Sequence, residues 1–299
     1  MAEDISRKTE NIIFDKELSS EIISNAIDDS AFMQLAPRMS IAGAGKKFQT
    51  ITGDPEPEWV GETEKKPVGT FKYGKKEVMP YKMALIVPFS DEFRRDKQAI
   101  YDESVKRLPK LFGQKFDRTI MGTTAPGEGF DVLGGATKVS LNPAQGGTVY
   151  GQFIAIDAAI SAANGIMSGI ALAPQGKSKV LAAVDNTGRP LFTPGVGANT
   201  VGNILGANVQ VKKGVFVQGD ASNPSTVGIA GDFDAVAWGA VNSITGSIST
   251  EASIEDANGE TLHLWQRNMF AVRYEIELAF MVRDINKFVL LTGDTVAGE

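Results

Sequence analysis

Ser90–Met121 reads SDEFRRDKQAIYDESVKRLPKLFGQKFDRTIM, and the fold turns on how this stretch is read. Phe93, Ile100, Tyr101, Val105, Leu108, Phe112, Phe116 and Ile120 recur mostly at gaps of three and four, the period of a helix with one buried stripe. Ser90 suits an N-cap, Asp91 and Glu92 place negative charge on the positive end of the helix dipole, and Gly122 suits a stop. At 1.5 Å per residue one such helix would reach about 45 Å, a beam for the rest of the chain. Pro109 lies inside the pattern without an N–H to donate, so the helix bends there or two helices meet, and Gly113 softens the same region.

Outward from the beam, composition narrows the class. The 299 residues are 42% hydrophobic, enough for a real core in one large domain or two ordinary ones. With no Cys there is no disulfide, thiolate metal site or thiol nucleophile, and His263 alone rules out a multi-histidine site. No apolar run is long enough to span a membrane, and no secretory signal is visible, so synthesis in the cytosol is expected. The net charge of −6 argues against a broad basic surface for nucleic acid. The excess is local, since residues 1–30 hold eight acids against three bases.

Upstream, residues 1–50 combine a short amphipathic piece, Lys16 to Ile27, with a Gly/Ser/Ala connector. This reads as an extended arm with too few apolar residues for a core of its own, so that it must pack on something else, and residues 1–45 are expected to be ordered by contact with other subunits or mobile when alone. From Pro55 to Pro88, alternation at Phe71 and Tyr73 and again at Val78, Tyr81, Met83, Leu85 and Val87 flanks turn-rich charged material, which predicts a long hairpin. Between Trp59 and Lys82 six lysines (65, 66, 72, 75, 76 and 82) face three glutamates, a local net of +3. That is either a solvated loop, the plainer reading, or an arm that docks on an acidic neighbour.

Downstream, Gln152–Asn164 predicts an Ala-rich helix closed by Gly165, Ile170–Ala173 a short strand, and Pro174 the first turn of a helix reaching about Asp185. Short strands are expected at Asn208–Val211, Val215–Val217 and Thr226–Ile229, with a Gly-rich loop over Phe192–Gly206. Residues 233–254 alternate as strands, Glu251–Glu260 is an acidic turn of net charge −4, and Met269–Leu291 holds a long strand with one buried face and a second from Lys287. Lys46 and Lys177 each follow a glycine in the manner of a phosphate loop, but Ser40 and Ala171 stand where the motif needs its first Gly. There is no nucleophile elbow, zinc-protease motif or complete dinucleotide motif, and His263 between two leucines reads as a structural or interface residue rather than a base.

Trp59-Val60-Gly61-Glu62, Lys66-Pro67, Phe71, Ala84–Ser90 and Asp96 form an ordered set with Pro174, Leu181, the Asp185–Leu191 turn, Gly231-Asp232-Phe233, Arg273, Arg283 and Phe288. The set, spread over about residues 57–292, resembles the major capsid proteins of tailed bacteriophages, whose shell fold is named after phage Hong Kong 97. The resemblance implies an α+β fold with a long spine helix, a peripheral-domain β-sheet, an axial α/β domain, an N-terminal arm and an extended β-hairpin loop. Placed on this chain, it implies an arm at 1–50, the extended loop at 51–88, the peripheral domain with its spine helix at 89–151, the axial domain at 152–235, returning peripheral strands at 236–284, and a terminal strand and tail at 285–299.

It further implies a non-enzymatic virion protein, without cofactor or metal, that self-assembles as hexamers and pentamers around double-stranded DNA, with no sequence-specific contact and no membrane. Assembly in the host cytoplasm follows, with portal, protease or decoration proteins as partners and a separate scaffold protein or none. The interface residues it points to are Trp59, Glu62, Lys65, Lys66, Lys72, Lys75 and Lys76 in the loop and Glu255, Asp256 and Asn258 at the peripheral tip. One branch of the family crosslinks an extended-loop Lys to an Asn at that tip, and Lys72, Lys75 or Lys76 in the hairpin, Asn258 in the acidic turn and Glu251, Glu255 or Glu260 near it supply the residue types. Non-covalent burial is the preferred expectation, because Asn258-Gly259 is also an ordinary turn pair. Ala173 departs from the family, which usually has Asn before the Pro. The alternatives are an encapsulin-type nanocompartment shell and an enzyme with an unrecognised site.

Overall fold

A computed structural model describes residues 26–53, 55–63, 65–142, 148–184, 203–220, 223–242, 244–255 and 259–293. The elements in chain order are α1 (Ala31–Leu35), β1 (Lys46–Gly53), β2 (Lys72–Val78), β3 (Tyr81–Ser90), α2 (Asp91–Asp96), α3 (Gln98–Met121), β4 (Thr137–Ser140), α4 (Val149–Ala162), β5 (Gly169–Leu172), α5 (Pro174–Leu181), β6 (Asn208–Val211), β7 (Thr226–Gly231), β8 (Val236–Ala240), β9 (Thr245–Ser249), β10 (Ser253–Glu255), β11 (Thr261–His263), β12 (Met269–Val282) and β13 (Phe288–Thr292).

The beam is α3, 24 residues long and so about 36 Å. It runs unbroken through Pro109, and the break falls earlier, at Lys97, where φ −132° and ψ 42° separate α2 from α3. The expected single helix from Ser90 is thus two. The apolar pattern steps seven residues from Phe93 to Ile100, leaving no buried anchor to hold the chain helical across Asp96 and Lys97. Ser90 caps α2 as expected, its hydroxyl accepting from the Phe93 N–H.

α3 lies against the sheet β3-β12-β8, in which β12 is the long central strand. One side of β12 pairs antiparallel with β3 along Met269–Leu278, and the other is shared by β9 and β8. The even positions of β12, from Phe270 to Val282, enter the main core beside Leu108, Phe112, Phe116 and Ile120 of α3. Arg273, Glu275 and Glu277 lie on the other face, where Lys82 of β3 stands 3.6 and 3.5 Å from the two glutamates. That alternation is the period-2 signature of a half-buried strand.

The second sheet, β4-β13-β7-β5-β6, draws strands from four parts of the chain. The terminal strand β13 sits inside it, parallel to β4 and antiparallel to β7, so this layer reaches beyond residues 152–235. Its own core joins Phe153, Ile156 and Ile160 of α4 and Val180 of α5 to Ile170, Leu172, Val209, Val289 and Leu291. α4 begins at Val149 with Thr148 as cap, earlier than the sequence suggested, and Asn164 (φ 54°) takes the left-handed position ahead of Gly165. Pro174 opens α5 as expected, Ala173 offers no side-chain cap, and the helix ends at Leu181. Residues 213–217 form a 3₁₀ turn and one bridge, Val217 to Thr226, in place of a strand. Most of the Gly-rich loop, the 185–191 turn and residues 16–25 of the amphipathic piece lie outside the described residues.

Two expectations are corrected. The arm does not wait for another subunit along residues 26–41. Ala26, Ala31, Phe32 and Met33 are buried in the main core, with the Phe32 ring 5.7 Å from Phe280 and 5.9 Å from Phe233. Spread over fifty residues the apolar content of the arm is thin, but the burying residues fall within eleven, 26–36. The hairpin, in turn, does not join residues 71–78 to 81–87. β2 pairs antiparallel with β1, Lys46 opposite Val78, while β3 belongs to the main sheet. Alternation reports which face of a strand is buried, not which strand lies beside it.

Candidate assembly surfaces

The hairpin begins from an anchored base. Phe48 and Val78 pack with Ile41, Ala237, Ala279 and Met281 in a small separate core on the outer face of the main sheet. Lys76 of β2 reaches Asp131, Nζ to Oδ2 at 2.7 Å, and also donates to the Val282 carbonyl. Asp131 Oδ2 in turn accepts the Val282 N–H at 2.7 Å. This half-buried knot ties the hairpin to the end of β12, and Lys76 therefore works within its own chain.

Beyond that base, β1 and β2 form a two-stranded sheet with no third layer, a form barely stable alone in water. The loop between them, residues 55–71, carries apolar side chains into solvent. Trp59 is 104% exposed, Val68 90% and Phe71 50%, and Tyr73 at the start of β2 is 73% exposed. Trp59, Glu62, Lys65 and Lys66 are each exposed on the loop, and Lys75 is exposed on β2. Lys72 pairs by its backbone with Gly53, its side chain lying outside the described residues.

Glu255 is exposed at the end of β10, which pairs with β11 to make a second, separate hairpin. Asp256 and Asn258, predicted for its turn, lie outside the described residues. His263 stands across from Ser253 on that hairpin, its Nδ1 2.7 Å from the Ser253 hydroxyl. Trp238 is buried under the Arg38 guanidinium, which sits 5.4 Å from its ring, and Trp265 is 68% exposed. Among the described residues no group of three or more His, Cys, Asp or Glu has the arrangement to hold a metal ion, and no helix is long and apolar enough to cross a membrane.

The sequence reading missed one site. Asp117 of α3 is fully buried and accepts from the Ser30 hydroxyl at 2.5 Å and from the N–H groups of Ala31 at 2.7 Å and Phe32 at 3.4 Å. It caps α1 from across the core and fastens the arm to the beam. Burial pushes its carboxyl up from 3.8 to about 7, against the opposing pull of those three hydrogen bonds, with the nearby Asp29 adding to the rise. The only trace in sequence is Gly113 one turn earlier, where a Cβ would stand 2.4 Å from the Ala26 carbonyl oxygen.

A long helix thus lies against a central long strand, beside a second, mixed sheet and a projecting hairpin. The chain overlays a solved chain from Gordonia phage Cozz with TM-score 0.71, covering 91% of this chain and 87% of that one at 21% identity. It overlays one from Mycobacterium phage Adephagia with TM-score 0.73, covering 90% and 91% at 16% identity. These likenesses show the Hong Kong 97-type capsid fold. The model of the phage capsid family matches residues 11–293, and the chain belongs to that family. The probable major capsid protein gp17 of Mycobacterium phage D29 is 27% identical over 290 residues, 94% of this chain and 90% of that protein. The function is that of a major capsid protein of a tailed phage, a structural component of the virion whose shell is built from many copies.

Proposed function

We propose that the subunit closes hexamers and pentamers into an icosahedral shell by laying its β1–β2 hairpin on a neighbouring subunit. The observation that carries this is the apolar load of residues 55–73. A monomer gains nothing by holding Trp59, Val68 and Tyr73 in water, whereas a partner surface would bury them for about 25 cal/mol per Å². In this reading Trp59, Glu62, Lys65, Lys66, Lys72 and Lys75 contact the neighbour, and Lys76 holds the hairpin at the angle that reaches it. Glu255, Asp256 and Asn258 form the peripheral tip, a second contact point between subunits.

The arm, extended-loop, peripheral and axial divisions follow the family plan, with β4 and β13 counted in the axial layer. The shell encloses double-stranded DNA without reading its sequence, is assembled in the host cytoplasm, and works with scaffold, portal, protease or decoration proteins. The subunit itself carries no catalytic chemistry, and its contacts are non-covalent. Lys76 supports that last point, because its ammonium is engaged within its own subunit by Asp131 and the Val282 carbonyl.

Trp59→Ala tests the reading. The purified subunit should keep its circular dichroism and melting temperature while particle formation, followed by light scattering, falls at least tenfold. Particles forming at the parental rate would refute the docking role of the hairpin.

A further inference from the structure

Residues 26–36 enter the main core as a separable plug. Among the described residues no backbone hydrogen bond joins them to the rest of the fold: the Ser30 N–H bonds Ile27 and the Ala36 N–H bonds Phe32, both within the plug. Stitching begins at the next residue, where the Trp238 N–H donates to the Pro37 carbonyl at 3.2 Å and the Met39 N–H to the Trp238 carbonyl at 2.7 Å. Extended Ala36 (φ −88°, ψ 144°) stands between the seated plug and that fixed anchor.

Apolar burial and one polar clasp hold the plug. Phe32 and Met33 are buried in the core. Asp117 Oδ1 accepts from the Ser30 hydroxyl and the Phe32 N–H, Oδ2 accepts from the Ala31 N–H, and the Ser30 hydroxyl oxygen in turn accepts the Met33 N–H at 3.1 Å. These bonds all lie inside the core. Two further ties, Gln114 Nε2 to the Asp29 carboxylate and Lys212 Nζ to the Asp28 carbonyl, sit at its rim.

The charges around the clasp leave its carboxyl without a counter-ion. The plug brings Asp28 and Asp29, and the charge of Asp29 opposes ionisation of Asp117. The segment leading into the 3₁₀ turn brings Lys212, engaged by the Asp28 carbonyl, and the turn itself brings Lys213, which is exposed; α3 brings Lys110 and Arg118, both exposed. Among the described residues none of these cations forms an ion pair with Asp117. While the plug is seated, a proton is therefore what neutralises the carboxyl, and burial is why it is retained up to about pH 7.

We propose that Asp117 is a proton-operated latch on residues 26–36: protonated it holds the plug in the core, and ionised it lets the plug swing out about Ala36. The open form presents Phe32 and Met33 to water, together with the slot they leave beside Phe233 and Phe280. Both halves of the latch lie in one subunit, so the proposal stands whether or not the capsid reading does. The sign follows from linkage. The seated form has the raised carboxyl and binds the extra proton, so opening grows as pH rises. With a carboxyl at 3.8 when open and about 7 when seated, the opening constant climbs about 30-fold from pH 5.5 to 8, of which only about twofold falls beyond pH 7.

Deuterium uptake by the full-length, unassembled subunit at pH 5.5, 6, 7 and 8, read by mass spectrometry and corrected for the intrinsic exchange rate, tests this. Amides of residues 32–36 report the latch, and those of β12 report global unfolding. The plug should be less protected than β12 at every pH, and its opening should follow the 30-fold climb. In Asp117→Asn, with circular dichroism checking the fold, plug opening should change by no more than about twofold over the same range. Plug amides as protected as those of β12 would mean that the plug never opens by itself and would overturn the proposal. So would an equally steep profile in Asp117→Asn. If that variant does not fold, Ser30→Ala decides: it keeps the carboxyl, loses one clasp bond, and should raise plug opening at every pH while keeping the climb. Parental plug exchange in Ser30→Ala would refute the clasp.

Discussion

Asp117 makes the stability of the subunit depend on pH in an uncommon direction. Its carboxyl titrates near 3.8 in the unfolded chain and at about 7 in the folded one, so between those values the folded state holds the extra proton. Stability contributed by this group therefore rises as pH falls from 8 toward 4, the reverse of a salt-bridged carboxylate. Integrating the linkage over that shift gives about 2–3 kcal/mol more stability at pH 5 than at pH 8. Asp29 is the acid whose charge adds to the rise, while Lys212 approaches the same region, donating from Nζ to the Asp28 carbonyl. Asp117→Asn removes the titration and keeps an oxygen for the Ala31 N–H. Urea unfolding of unassembled parent and variant at pH 5, 6, 7 and 8 is the assay, and the difference between the two curves isolates this carboxyl from all others. That difference should move by about 2–3 kcal/mol in favour of the parent as pH drops from 8 to 5. Parallel curves would refute the reasoning.

Phe32→Ala should lower the unfolding free energy of the isolated subunit by about 3–5 kcal/mol, because Phe32 is fully buried among Phe233 and Phe280; denaturant midpoints check it. Gly113→Ala should destabilise by about 1–3 kcal/mol despite a helix-propensity gain near 1, since its Cβ meets a backbone carbonyl, and a rise in melting temperature would show that the arm gives way freely. Reversing Lys65, Lys66 and Lys75 to Glu should slow assembly without changing the melting temperature. The parental assembly rate should weaken with salt, as exposed charges screened beyond about 10 Å at 0.1 M require; light scattering reads both.

Elements whose physics is local were legible before the structure. The stripe from Tyr101 to Ile120 marks α3 because a helix repeats its buried face every 3.6 residues, and the alternation from Phe270 to Phe280 marks β12 for the same reason at period 2. What escaped depends on contacts far apart in the chain. KKFQTITG has one aromatic and one isoleucine among lysines, polar residues and glycine, so β1 reads as arm, and only its pairing with β2 makes it a strand. β13 is a plain apolar run whose place between β4 and β7 no pattern within it encodes. Asp117 resembles any solvated acid of a charged helix, and only its distance of 2.7 Å from a backbone N–H some eighty residues away reveals its work. Of the surface residues, Lys65 and Lys66 are as exposed as expected, whereas Lys76 is spent inside the subunit on a partner, Asp131, that nothing in the hairpin announces.

The central claim is that this chain builds a shell through its projecting hairpin. The most direct measurement is negative-stain microscopy of the purified protein, parent beside a variant in which residues 55–71 are replaced by a short Gly/Ser turn joining β1 to β2. The account predicts closed angular particles from the parent and folded, dispersed subunits or isolated capsomers from the variant. Closed particles of parental size from the variant would contradict it.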